Sequence, residues 1–506
     1  MYGNIHDDNK RDVQFGKCEN IKVYSFYHSD RMNTIQRVVK NVLSLLTTQI
    51  ILAILSLVLS IFIARFLGDV AFGKYSFANA FPIIFLIFLD FGFETLLIRD
   101  VARDKSLAGK YLTNILVFKV LLIPFVFSFI VISINIMGYP ESTKNLVYLI
   151  SLYIIFLSLS AAFKVTFRAY EKMEYDAGIS TFFTIIRTGL GILFLFLGYG
   201  LIEIGWIFVL STFIEFIISY LICRKKFVKP KLEFDFSFLR KSFKNALPLG
   251  IFTVFSFIFV RIDTVMLSYM KGDAVVGWYN AAYSLVLGFT PIPQLFMMSL
   301  LPLLSYSYIS SRKSLQITYE KSFKYLFFLG LPISVGIFML SKNFIILFYG
   351  DEFINSIDAL KILTWDVILK FLYICAGYIL ISTDNQKKMA TLVVFSALLN
   401  IVLNLFLIPS FSYIGSGVAT LITELFLLIS YLFLNMRNSF SLHIKKFLFQ
   451  PLIACGVMAL FLYQFPEIQL VEKIIFAIII YFIILFLTRG FSKDDILLFK
   501  RLIKKG

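Results

Sequence analysis

From about residue 40 to residue 490, long apolar runs alternate with short polar breaks. Most runs are about 20 residues long. A helix rises about 1.5 Å per residue, so each can cross about 30 Å of hydrocarbon. The pattern predicts 14 helices, near residues 42–63, 76–97, 111–137, 146–167, 178–198, 204–222, 247–269, 284–305, 323–341, 360–381, 388–408, 414–434, 447–463 and 471–488. Most connections are short, so consecutive helices are expected to be antiparallel neighbours. The expected fold is an all-α polytopic membrane protein.

Composition agrees with this reading. The chain is 59% hydrophobic and only 16% charged, against about 25% charged in a soluble domain, and its mean hydropathy is +0.84. A soluble chain this apolar would need one enormous core, and the periodic charged breaks argue against that. The cysteines Cys18, Cys223, Cys375 and Cys455 show neither metal spacing nor a pairing signal. His6, His28 and His443 lie in tails or loops, away from carboxylate clusters. No hydrolase or kinase motif appears, and nothing argues for an enzyme.

The formal net charge of +17 would suggest nucleic acid in a soluble protein. Its position suggests topology instead. About 35 Lys and Arg fall in the N-terminus, every second connection and the C-terminus, against about 6 in the alternate connections. The positive-inside rule then expects both termini in the cytoplasm and the protein in the cell membrane. The basic stretch "CRKKFVKPK" at 223–231 reads as an anchor near anionic lipid rather than a nucleic-acid site.

One motif occurs twice. "GDVAFGKYSFA" begins at Gly68 and "GDAVVGWYNAA" at Gly272, matching Gly68, Asp69, Gly73, Tyr75 and Ala78 to Gly272, Asp273, Gly277, Tyr279 and Ala282. Gly and Asp are expected to open a tight turn, the second Gly to allow close backbone packing, and the Tyr to sit at the membrane interface. Six expected helices separate the copies. An even number preserves orientation, so the halves are expected to be parallel six-helix repeats related by an axis along the membrane normal. The expected organisation is an N-terminal tail (1–41), an N-lobe of helices 1–6 (42–222), a basic cytoplasmic linker (223–246), a C-lobe of helices 7–12 (247–434), two added helices (447–488) and a C-terminal tail (489–506). Met32 precedes a basic segment and the first helix, and translation is expected to start there or at Met1; in the second case residues 1–31 form a polar cytoplasmic tail.

Three stretches carry a family resemblance: "RIDTVMLSYMKGDAVVGWYNAAYSL" (261–285), "FYGDEFINSIDALKIL" (348–363) and "NIVLNLFLIPSFSYIGSGVATLITE" (400–424). They resemble the signature stretches of Wzx-like polysaccharide flippases, in the multidrug/oligosaccharidyl-lipid/polysaccharide superfamily. The resemblance covers about residues 33–490. It implies a two-lobed protein of fourteen helices that moves a lipid-linked oligosaccharide between leaflets by alternating access, with no organic cofactor. Some members couple to a sodium or proton gradient. Implied partners are the bilayer, a polyprenyl-phosphate or pyrophosphate sugar and glycan-assembly enzymes, but no nucleic acid.

Ionisable residues inside membrane helices usually face a bundle interior. Here they are Asp90, Glu94, Lys119, Lys164, Arg187, Glu215, Arg261, Asp263, Lys324, Lys361, Asp366, Lys370 and Glu424. Lys164, Lys324 and Lys361 lie near helix ends and are expected to snorkel. Lys119, Arg187, Arg261 and Lys370 lie deeper. With Asp90 and Glu215 they are the candidate cavity lining, where Arg offers a phosphate a planar fork and Lys a point charge. The competing expectation is internal pairing with Asp90, Glu215, Asp263 or Asp366. Arg261 and Asp263 are two apart and point to different sides.

Asp263, Asn400, Asn404 and Thr420 form a second polar set. Asn400 and Asn404 share a helix face. Oxygens from expected helices 7, 11 and 12 suit a hard monovalent cation, and the resemblance implies a sodium site at similar positions in some flippases. The chain departs from that site where a second carboxylate is replaced by Asn404. Interhelical hydrogen bonding is the competing expectation. Rival functions are a multidrug antiporter of the same superfamily, a membrane glycosyltransferase or polymerase, and a non-transporting component of a glycan-assembly complex.

Overall fold

The computed structural model describes residues 34–228, 235–444 and 447–491. The expectations for residues 1–31 and for most of the C-terminal tail lie outside the described residues. The fold described below is that of the unit Asn41–Gly506.

Every regular element among the described residues is helical. The helices are α1 (Thr34–Leu86), α2 (Phe93–Arg103), α3 (Ala108–Ile136), α4 (Glu141–Ala169), α5 (Met173–Phe196), α6 (Leu201–Lys226), α7 (Phe236–Lys271), α8 (Asp273–Leu287), α9 (Pro291–Ser310), α10 (Arg312–Met339), α11 (Ser341–Tyr349), α12 (Ser356–Ser382), α13 (Gln386–Arg437), α14 (Phe449–Gln464) and α15 (Leu470–Leu487). Eleven described segments are long and apolar enough to cross a membrane. Two of these, within α1 and α13, each cover two expected helices.

The breaks inside α1 and α13 have local causes. Gly68 (φ 78°, ψ 179°) interrupts α1, in a backbone region almost confined to glycine. Ser56 and Leu59 before it face the same cavity as Tyr75 and Asn79 after it, so the two arms fold back on each other. Ser412 (φ 53°, ψ −136°) breaks α13. Across it Asn400 faces Thr423, and Leu407 touches Gly415; both pairs are centred near Ser412, which makes the arms antiparallel.

Other expected boundaries shift. The expected helix 76–97 starts earlier and is interrupted by a 3-10 turn at Ile87–Leu89 and a left-handed Gly92. The expected linker 223–246 is helical at both ends, because α6 runs to Lys226 and α7 starts at Phe236 under the Asp235 cap. Periodicity of apolar residues ended these helices at the first charges, but charged residues extend a helix readily once it leaves hydrocarbon.

Helices α2–α6 pack mainly among themselves, as do α7–α15. Between the two sets lies the repeated motif, and its copies interlock. A Cβ on Gly73 would lie 1.8 Å from the Asp273 carbonyl oxygen, and one on Gly277 would lie 2.2 Å from the Asp69 carbonyl oxygen. The contact maps onto itself when the copies are exchanged, as parallel repeats allow. The Trp278 indole N–H donates to Asp69 Oδ2 at 2.7 Å, and Phe72 packs on Tyr349 and Phe353 behind it. Of the motif tyrosines, Tyr279 is fully buried and Tyr75 lines a cavity. Helix packing around the interlock draws both inward.

Candidate functional site

The first half holds a polar cavity of about 280 Å³ among segments long and apolar enough to cross a membrane. Arms of α1, with α4, α5 and α6, form its wall. Its charged lining is Lys164, Arg187 and Glu215, beside Tyr75, Asn79 and Tyr153. Glu215 sits between the two cations: Oε1 lies 2.8 Å from Lys164 Nζ, and Oε2 lies 2.7 Å from Arg187 Nη1. Arg187 also donates to Thr212 and Thr184 and faces the Tyr153 ring at 5.7 Å. Two cations against one carboxylate leave a formal charge of +1. Lys164 therefore does not snorkel. It is buried, because Glu215 on the facing helix offers a stronger partner than distant water.

Lys119 stands apart from this cavity. It is fully buried and donates to Asp90 and to Ser158 O and Oγ, at 2.8 and 3.0 Å for the serine. Lys370 is likewise internal, between Asp366 and Glu424. Internal pairing thus accounts for Lys119, Arg187 and Lys370, although Arg187 still faces the cavity. Lys361 pairs with Asp358 at a largely exposed position.

Arg261 differs from the other three. Among the described residues no carboxylate pairs with it, and its Nε is buried without a hydrogen-bond partner. It is half-buried on α7, within electrostatic reach of Tyr75, which lines the first-half cavity, and of Tyr283 on α8. It is a cation held at the junction of the two halves with no countercharge among the described residues.

The structure brings the second polar set together. Asp263 accepts from Asn404 Nδ2 on Oδ1 at 2.6 Å, and from Tyr279 and Thr420 hydroxyls on Oδ2 at 2.9 and 2.6 Å. Asn404 also donates to Asn400 Oδ1 at 3.0 Å. Tyr279 was expected only as a repeat residue, and its role here is one the spacing did not reveal. One carboxylate among neutral oxygens suits a monovalent cation. Asn404 Oδ1 is buried without a partner, so turning the amide over would supply an oxygen where Nδ2 now donates. No group of three or more His, Cys, Asp or Glu side chains able to hold a metal occurs among the described residues.

Sequence reasoning missed Lys164, and one signal pointed to it. Lys164 and Lys370 are 206 positions apart, close to the 204 between Gly68 and Gly272. Each pairs with a glutamate on the helix two further along its repeat: Glu215 in one, Glu424 in the other.

The chain matches the family model described as "Polysaccharide biosynthesis protein" over residues 38–307, and the MatE model over residues 248–406. It is 24% identical over 372 residues to the probable low-salt glycan biosynthesis flippase Agl15 of Haloferax volcanii, covering 71% of this chain and 75% of that one. Its fold is similar to that of the lipid II flippase MurJ in an inward closed conformation, with a TM-score of 0.75 at 19% identity, covering 88% of this chain and 98% of that one. The inward-facing conformation of a multidrug resistance MATE family transporter has a TM-score of 0.59 at 18% identity, covering 77% and 94%.

Proposed function

The chain belongs to the polysaccharide biosynthesis protein family, and on that premise we propose that it is a flippase. It carries a lipid-linked oligosaccharide across the membrane by alternating access. The observation that carries this reading is the net-positive polar cavity among the apolar spans, with Arg261, which has no acid partner among the described residues, beside it. The head group of such a lipid bears phosphate and many hydroxyls. Each charge at the bilayer centre costs on the order of 3 kcal/mol even on lenient scales, and each unpaired hydroxyl adds a few more. A cationic cavity offsets both, while the polyprenyl tail stays in lipid.

The remaining assignments follow from this reading. Residues 42–222 and 247–434 act as two lobes, with 447–488 added. The protein resides in the cell membrane with both termini cytoplasmic, which places the Gly-Asp interlock at the outer face. It needs no catalytic residues, and glycan-assembly enzymes supply and consume its cargo. The Asp263 set binds the monovalent cation of a coupling gradient. A multidrug antiporter, favoured by the MatE match, would take a cationic drug, which a net-positive cavity repels.

The test is flipping of a lipid-linked oligosaccharide by the purified full chain in vesicles, read by access of a membrane-impermeant probe to the head group. Arg187→Ala and Arg261→Ala should each slow it by roughly tenfold or more, the equivalent of one charge-assisted hydrogen bond. Arg→Lys should retain part of the rate. Unchanged flipping in the double Ala variant would remove the cavity assignment.

A further inference from the structure

The flippase reading leaves a second cluster of buried charge unexplained. Near the middle of α12 and of the second arm of α13, Lys370 Nζ lies 2.5 Å from Asp366 Oδ2 and 2.6 Å from Glu424 Oε1. All three side chains are at most 5% exposed. Asp366 Oδ1 and Glu424 Oε2 are buried with no hydrogen-bond partner. The two carboxyl groups are bridged by the one ammonium. Fully ionised, the triad would hold a net negative charge and two bare anionic oxygens at membrane depth, which is the costly arrangement for buried ions.

The surroundings do not cancel that charge. Facing the triad are Tyr283 on α8, whose ring lies 5.7 Å from the Lys370 ammonium, Tyr373 on α12 and Tyr431 on α13. Asp263 on α7 adds a further carboxylate, acting on Tyr283, and Arg261 on α7 a cation acting on the same ring. Three carboxylates against two cations leave one negative charge, and one proton makes the set neutral. The first half has the same Lys–Glu pair in Lys164 and Glu215, but its third member is Arg187 rather than an acid. The repeats share the pair and differ in the sign of the added charge.

We propose that Asp366 and Glu424 together bind one exchangeable proton, on the carboxyl oxygens that lack a partner. The site suits a proton rather than a metal ion because the Lys370 ammonium already fills the space between the carboxyls. Exchange runs through a separate cavity of about 460 Å³ lined by Tyr373 and Tyr431, the tyrosines that face Glu424. The triad is linked onward to the junction of the halves. Tyr283 stacks on Tyr279 at 5.6 Å, Tyr279 holds Asp263, and the same helix α8 carries Gly277 into the interlock. Loss or gain of the proton changes the charge under α8. The consequence for transport rests on the flippase reading; proton binding does not.

Difference infrared spectroscopy of the full chain in lipid tests the site through the carbonyl stretch of protonated carboxyls. The unmodified protein should show such a band. Glu424→Gln and Asp366→Asn should each abolish it, because either leaves one carboxylate for one ammonium and removes the reason to hold a proton. Lys370→Met should enlarge it about twofold, both carboxyls then being neutral. Absence of the band in the unmodified protein overturns the proposal. So does its persistence in both amide variants. In vesicles under an imposed pH gradient, Glu424→Gln should flip at a rate indifferent to the gradient. If the unmodified protein shows the band but flips no lipid-linked sugar, the flippase reading falls and the proton site stands.

Discussion

Arg261 and Asp263 stand two residues apart on α7 and have opposite surroundings. Asp263 turns into the packing of α7, α8 and α13, where three neutral donors satisfy its carboxylate. Arg261 turns toward the tyrosines at the junction and finds no acid among the described residues. A buried anion held only by neutral donors still favours a cation if one can reach it. Flipping should therefore quicken with an imposed sodium gradient, and Asp263→Ala should abolish the gradient's effect. Asn404→Asp, which adds a second charge, should lower the sodium concentration needed. Flipping by the unmodified protein that ignores sodium would remove the cation site and leave Asp263 as an interhelical hydrogen-bond centre.

Among the elements, the interlock of the repeated motif depends on glycine for two separable reasons. Gly272 needs its left-handed backbone (φ 89°, ψ 178°), yet a Cβ there would meet nothing within 4 Å. Gly277 is helical, but its Cβ would collide with the Asp69 carbonyl. Gly272→Ala should therefore cost about 1–3 kcal/mol through strain alone. Gly277→Ala should separate the two copies. Gly178 in α5 is a control: it is helical and a Cβ meets nothing, so Gly178→Ala should be neutral or stabilising by up to about 1 kcal/mol. Thermal unfolding in detergent orders the three variants. Equal behaviour at Gly277 and Gly178 would show that the close approach does not matter.

At the scale of the molecule, two similar halves meet through backbone at the interlock and carry clusters of opposite sign away from it. Alternating access requires the meeting ends to part in the other state, so fixing them should stop transport. Asp69→Cys with Trp278→Cys, joined by a short reducible cross-linker, should block flipping, and reduction should restore it. Cys223, Cys375 and Cys455 are buried and should not compete, and the fourth cysteine, Cys18, is replaced by Ser in the cross-linking variant. Continued flipping in the cross-linked protein would mean that this contact stays closed throughout the cycle.

The apolar runs alone determined that the chain is a helical membrane protein, because about 20 consecutive apolar residues have few other stable arrangements. The repeat was equally legible, since Gly68 and Gly272 obey a backbone restriction that no other residue meets cheaply. Which charges pair was not legible. Lys164 looked like a helix-end lysine, and only the facing α6 shows that Glu215 holds it inside. Arg261 looked like its three companions, and only the lack of a facing acid among the described residues separates it from them. Depth along a helix is written in sequence, but the partner across the gap depends on how helices rotate and pack. At hydrocarbon depth that partner decides whether a charge is compensated internally or left for a ligand.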